Sequence, residues 1–188
     1  MTLISLETAD RLLDELRPGL GVDVLQQIEP LGQLLATARR IVCHGVGREG
    51  LMMRALAMRL FHLGCDVHVV GDMTLPPVGA GDVFLVSAGP GDIATIATLC
   101  GIARTAGAKV VCFTAEPDGP VPQGADHVVH LPAQTMAADQ GSRATSILPM
   151  GSLFEALMFL FFELVVLDLR DRLEITPMAM RANHTNLE

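Results

Sequence analysis

The sequence predicts a single α/β domain, a doubly wound, flavodoxin-like parallel sheet of five strands flanked by helices. Two observations carry that expectation. Five short apolar runs alternate with helix-length segments, which is the pattern of βαβ units in a parallel sheet covered on both faces. The length of 188 residues suits one domain, and such a chain buries roughly 70% of its unfolded surface without a disulfide or metal staple. Right-handed crossovers then wind the helices onto both faces. The expected organisation is N-terminal helices over 4–38, an α/β core over 39–132, a loop over 133–148 and C-terminal helices over 150–188.

Residues 4–38 show helical spacing, with Leu3, Leu6, Leu12, Leu13 and Leu16 on one stripe. Arg17-Pro18-Gly19 breaks it, and 22–37 resumes it. The first strand is expected around Ile41-Val42-Cys43, followed by an apolar, methionine-rich helix over 51–63. Strands are expected at 67–70 and 82–86, the second ending at Gly89-Pro90-Gly91. A helix over 93–105 closes at Gly107, and strands over 110–114 and 127–131 complete the sheet. Residues 133–148 read as a polar loop. A hydrophobic helix follows from Gly151, then a short one with Thr176 as N-cap and Pro177 at its first position.

Composition excludes several functions. Half of the residues are hydrophobic and 18% are charged, so disorder is excluded. Trp and Tyr are absent and seven Phe supply the aromatics, which disfavours base stacking on nucleic acid. A net charge of −8 repels polyanions at long range. Cys43, Cys65, Cys100 and Cys112 form no CxxC pair and lie in or beside apolar segments, as reduced, structural thiols do. Lys109 is the single lysine and sits among strand residues, a poor place for Schiff-base chemistry. His127 and His130 point to opposite faces of a strand, which disfavours a metal pair. The most membrane-like segment, 153–169, is interrupted by Glu155, Glu163 and Asp168 and falls short of a span. No secretory signal opens the sequence, so a cytoplasmic location is expected.

Two expected strand ends are glycine-rich: Gly45-Val46-Gly47-Arg48-Glu49-Gly50 and Gly89-Pro90-Gly91-Asp92. Each leads into a helix whose first amides are unpaired, and two such N-termini converging at the switch point would cradle a small phosphorylated ligand. The first loop also matches the dinucleotide pattern GxGxxG. The acidic residue expected about 20 positions on is badly placed, however, since Asp66 opens the next strand and Asp72 follows it. The glycines also have a plainer reading, as a tight strand-to-helix turn.

Three further segments are specific: Met58-Arg59-Leu60-Phe61-His62-Leu63-Gly64, the run from Thr74 through Asp82, and Ser146-Ile147-Leu148-Pro149-Met150-Gly151-Ser152-Leu153-Phe154-Glu155. Together with the ending His184-Thr185-Asn186-Leu187-Glu188, they resemble the sugar isomerase (SIS) domain family, and within it the 6-phospho-3-hexuloisomerases. The resemblance runs from about residue 40 to the last residue. It implies the SIS fold and a ribulose monophosphate pathway step, interconverting a 6-phospho-3-hexulose and fructose 6-phosphate through an enediol. It implies no cofactor and no metal. Glu155 matches the family's carboxylate base, and His184 the histidine that assists ring opening or shuttles protons on oxygen. In related enzymes that histidine comes from a neighbouring subunit. The resemblance also implies a homotetramer with shared sites, to which the apolar surfaces of 51–63 and 153–169 contribute. Taken without the family, Glu155 reads as a first-turn carboxylate facing water and His184 as a solvated tail residue.

The resemblance places the substrate on Gly47, Arg48, Glu49, Ser87, Ala88, Gly89, Pro90, Gly91, Asp92 and Ile93. There the chain departs from the family's hydroxyl-rich patterns, Gly-x-Gly-Arg-Ser-Gly and Ser-Gly-Ser-Gly-Glu-Thr. Glu49, Ala88, Pro90 and Ile93 stand where those patterns have serine or threonine. Each hydrogen bond lost to a charged group removes roughly 1.5–3 kcal/mol, and Pro90 has no N–H to substitute. Two alternatives to the isomerase follow from these losses: an isomerase with another sugar substrate, and a sugar-phosphate-binding module without chemistry.

Overall fold

The computed structural model describes residues 4–187; Leu3 of the expected stripe and Glu188 of the C-terminal motif lie outside the described residues. The Ser5 hydroxyl accepts the Thr8 N–H at 3.3 Å and opens α1 (Leu6–Leu16). The Arg17-Pro18-Gly19 break becomes a 3-10 turn, Arg17–Leu20. A Cβ at Gly19 would lie 2.6 Å from the Leu157 side chain, so glycine lets this turn press onto the core.

The helix expected over 22–37 is two helices, α2 (Val22–Leu25) and α3 (Ile28–Ala36). The split falls at Gln26-Gln27, where the Gln27 side chain donates to the His130 carbonyl at 2.9 Å and accepts the His130 N–H at 2.7 Å. A glutamine thus pairs with the backbone of an edge strand that would otherwise be left open.

The core runs β1 (Arg40–His44), α4 (Gly47–His62), β2 (Val67–Val69), β3 (Asp82–Ser87), α5 (Ala94–Thr105), β4 (Lys109–Thr114), α6 (Pro120–Gln123) and β5 (His127–His130). All five strands are parallel, in the order β2-β1-β3-β4-β5. The flavodoxin-like winding expected from the sequence is therefore present. Two 3-10 turns, Met136–Ala138 and Gly141–Arg143, interrupt the long loop before α7 (Ser152–Arg172) and α8 (Pro177–Ala182).

Period-two alternation divides the core into two layers. Ile41, Cys43, Val83, Leu85, Val111, Phe113 and Val129 face α3, α4 and α7. Val42, Phe84, Val86, Val110 and Cys112 face α5 and α6. The four cysteines are free thiols, and burial pushes Cys112 up to about 12, so it is inert packing. Lys109 is exposed at the start of β4, the end of the sheet opposite the carboxyl ends. Among the described residues no helix is long and apolar enough to cross a membrane.

The helix α7 is the central covering element. Its Phe161 and Phe162 meet Phe113 of β4 edge-on, with ring centroids 6.4 and 4.9 Å away. Its other side is not covered: Phe159, Leu160 and Leu167 are exposed, as are Leu51, Met58 and Phe61 on α4. Phe113 has no solvent exposure. Phe113→Ala is expected to destabilise the fold by about 3–5 kcal/mol, measured as a lower urea midpoint.

Candidate active site

In an open parallel sheet the ligand crevice lies beyond the carboxyl ends of the strands, where the winding reverses. Here the reversal falls between β1 and β3, and both of the glycine-rich loops leave from that point. The β1–α4 turn is held by backbone contact. A Cβ on Gly50 would lie 2.4 Å from the Gly45 carbonyl, and Gly47 has φ +56°. The GxGxxG spacing is thereby explained by a tight turn that brings the helix start against the strand end.

Helix α7 runs parallel to α4. Arg48 at the start of α4 donates to the Ser152 hydroxyl at 2.9 Å, and its guanidinium lies 2.9 Å from Glu155 Oε2. That contact is an ion pair whose angle falls short of a hydrogen bond. Further along, Arg59 makes a two-pronged pair with Glu163 at 3.1 and 2.9 Å. The N-termini of α4 and α7 therefore open side by side. Gly151, at φ +79°, turns the chain into α7, and a Cβ there would lie 2.8 Å from the Met136 backbone nitrogen.

Between these ends lies a cavity of about 320 Å³, lined by Val46, Gly47, Arg48, Glu49, Ile93, Thr135, Met136, Met150, Gly151, Phe154 and Glu155. Five of the twelve residues singled out in the sequence thus share one wall: Gly47, Arg48, Glu49, Ile93 and Glu155. Glu155 is 8% exposed, so it does not face water as a first-turn carboxylate ordinarily does. Burial raises its pKa, Arg48 opposes the rise and the Glu49 charge adds to it.

The second loop sits just behind the cavity. Gly89 donates its N–H to Glu49 Oε2 at 3.0 Å. Its carbonyl accepts from the Ala115 N–H at 3.0 Å, which ties the loop to the end of β4. Ala88 is buried in the core and Ser87 is fully buried behind Glu49. Gly91, at φ +77°, packs on Gly119, where a Cβ would lie 2.5 Å from the Gly91 Cα. Pro90 is half-buried and Asp92 is exposed. These six residues form the scaffold around Glu49 rather than the lining of the cavity.

His184 is elsewhere. It stacks on His62, with ring centroids 5.2 Å apart, in a groove with Met58, Arg59, Pro177, Met180 and Arg181. His62 ends α4 while Glu49 is in its first turn, so the two lie about 20 Å apart along the helix axis at 1.5 Å per residue. The chain does not bring its own His184 to the cavity. The lining from Thr135, Met136 and Met150 was not anticipated from the sequence, because the loop that carries them has no periodicity. The only signal was Gly151, whose missing side chain makes room for 135 and 136.

The chain matches the SIS domain family over residues 34–160. The 3-hexulose-6-phosphate isomerase of Mycobacterium gastri is 38% identical over 163 residues, covering 87% of this chain and 81% of the relative. The protein of the same name from Bacillus subtilis is 30% identical over 182 residues, covering 97% and 98%. A solved Methanococcus jannaschii structure, described as inferring a molecular function of 3-hexulose-6-phosphate isomerase, superposes with a TM-score of 0.84. It is 25% identical, and the match covers 97% of this chain and 99% of that one. The matched stretch spans the whole sheet, both glycine-rich loops and the first turns of α7, and the chain belongs to the SIS domain family.

Proposed function

We propose that the chain is a sugar-phosphate isomerase that interconverts 6-phospho-3-hexulose and fructose 6-phosphate, with Glu155 as the base. The observation that carries this reading is a buried carboxylate with a raised pKa in the first turn of α7, facing a cavity at the switch point of the sheet. Relatives named 3-hexulose-6-phosphate isomerase that match most of the chain support the choice of substrate. The isomerisation moves a carbonyl between C3 and C2. One group must carry a proton between those adjacent carbons, and a raised carboxylate pKa brings the base closer to the working pH. The α7 dipole and Arg48 oppose that rise and favour the carboxylate form.

The phosphate is assigned to the wall formed by Arg48 and the start of α5. Ile93 is the N-cap of α5 and makes no side-chain cap bond, so the first amides of that helix are left for an anion. The Arg48 side chain is 61% exposed and adds positive charge at the mouth.

His184 is assigned to ring opening in the cavity of a neighbouring subunit. Its distance from Glu155 of its own chain supports that arrangement. So do the exposed apolar side chains of α4 and α7, which suit an interface between copies of the chain, as in a tetramer.

Three outcomes follow. Glu155→Gln is expected to lower kcat about 10²–10⁴-fold, followed by coupling fructose 6-phosphate formation to a dehydrogenase. It is also expected to raise the melting temperature at pH 7. A folded-state pKa above the ordinary value of 4.5 means that the native chain binds the extra proton, and stability is lost as pH rises through that window. Glutamine removes the loss, so the gain shrinks to nothing below pH 4.5. Finally, Glu155→Gln and His184→Ala chains, each inactive alone, are expected to regain part of the activity when co-expressed. Mixed oligomers without activity would refute the shared site.

A further inference from the structure

A second carboxylate faces the same cavity. Glu49 is in the first turn of α4, and Glu49 and Glu155 are the two acidic residues in the lining, with Arg48 next to Glu49 in sequence and paired to Glu155. The position of the Glu49 side chain is built rather than incidental. Its Oε2 accepts the Gly89 N–H at 3.0 Å, and a Cβ on Gly89 would lie 2.6 Å from its Oε1 and 2.8 Å from the Phe154 ring. The missing side chain at position 89 therefore makes the space that this carboxyl and Phe154 occupy. The Ser87 hydroxyl, fully buried, is on the same side without a hydrogen bond of standard geometry.

We propose that Glu49 is a second catalytic residue, the group that carries protons between the oxygens of the substrate while Glu155 carries the proton between its carbons. The proposal rests on the isomerase reading above. In the forward direction Glu155 takes the proton from C2, and that electron pair becomes the C2=C3 bond. The C3 carbonyl π-electrons move to O3, which takes the proton from the Glu49 carboxyl. The enediol then collapses: the O2 proton passes to the Glu49 carboxylate, C2=O forms, and C3 takes its proton back from Glu155. Both carboxyl groups end as they began, and no other reactant is consumed.

The environments of the two groups suit these opposite roles. Burial raises the pKa of Glu49, and the Gly89 N–H and the Ser87 hydroxyl only partly oppose the rise. No guanidinium is paired with Glu49 among the described residues, whereas Arg48 is paired with Glu155. The charged and titratable groups facing Glu49 are Glu155 on α7, Arg48 on its own helix and the Cys112 thiol on β4. The pairing of Arg48 with Glu155 and not with Glu49 suits Glu155 to the carboxylate role and Glu49 to the acid role in the shared cavity. A neutral carboxyl accepts the Gly89 N–H on one oxygen and presents its O–H with the other.

The test compares Glu49→Gln, Glu49→Asp and wild type in steady-state kinetics with 6-phospho-3-hexulose, across pH. Glutamine keeps the shape and the Gly89 contact but cannot exchange a proton. The expected result is a fall in kcat of about 10²–10⁴-fold with KM changed less than threefold, partial recovery in Glu49→Asp, and loss of the alkaline limb of the pH–rate profile. Retained kcat with a lowered KM would overturn the proposal, because Glu49 would then be a mere obstacle to the phosphate. Unchanged kinetics would overturn it as well. A folded wild type without turnover would overturn the isomerase reading and this role with it, whereas an active wild type with an active Glu49→Gln removes this role alone.

Discussion

The parallel packing of α4 against α7 is the constraint on which the site depends. Two pairs hold it: Arg59 with Glu163 midway along, and Arg48 with Ser152 and Glu155 at the start. Antiparallel helices would have placed one N-terminus at each end of the sheet. Parallel ones place two sets of unpaired amides, two carboxylates and one guanidinium at the carboxyl end of β1. The apolar inner face of α7, with Phe161 and Phe162 against Phe113, supplies the energy that fixes its direction. The half-buried, two-pronged Arg59–Glu163 pair fixes the register of the two helices.

Glu155 is destabilising where it stands, since its charge is buried and helped by one exposed arginine. Glu49 adds a second buried carboxyl nearby, whose pKa burial also raises. Local cost of this kind is what a reactive site looks like energetically. The surrounding loop is correspondingly tied down. Gln134 accepts the Thr145 and Ser146 N–H groups at 2.6 and 3.0 Å, and the Ser146 hydroxyl donates to Glu15 at 2.6 Å. These bonds hold the segment that carries Thr135 and Met136 against the turn at Gly151.

Much of the sheet was legible because each strand is a short β-branched run with breakers at its ends. The split between α2 and α3 was not, since it depends on Gln27 reaching a strand about a hundred residues away in the chain. The early start of α4 was hidden by glycines that read as a loop but are helical from Gly47. Of the residues that line the cavity, Arg48 and Glu49 were legible from the glycine-rich loop and Glu155 from the family resemblance alone. What Glu49 touches was not, because sequence showed only that a hydroxyl was missing and not that Gly89 had room for a carboxyl. The distance between His184 and Glu155 was invisible for the same reason: it is a property of helix length.

The contact between Gly45 and Gly50 has an evolutionary side. Those two positions tolerate no side chain, whereas Val46 and Arg48 are exposed and Glu49 lines the cavity with its carboxyl tied to Gly89. The backbone of the turn is therefore pinned at both ends while the residues between are free to vary without moving it. Such a segment lets a lineage exchange the chemistry of a pocket one side chain at a time, with the scaffold unaffected at each step. For directed evolution, position 46 is the one to vary first, since Arg48 also ties α4 to α7 and Glu49 holds Gly89.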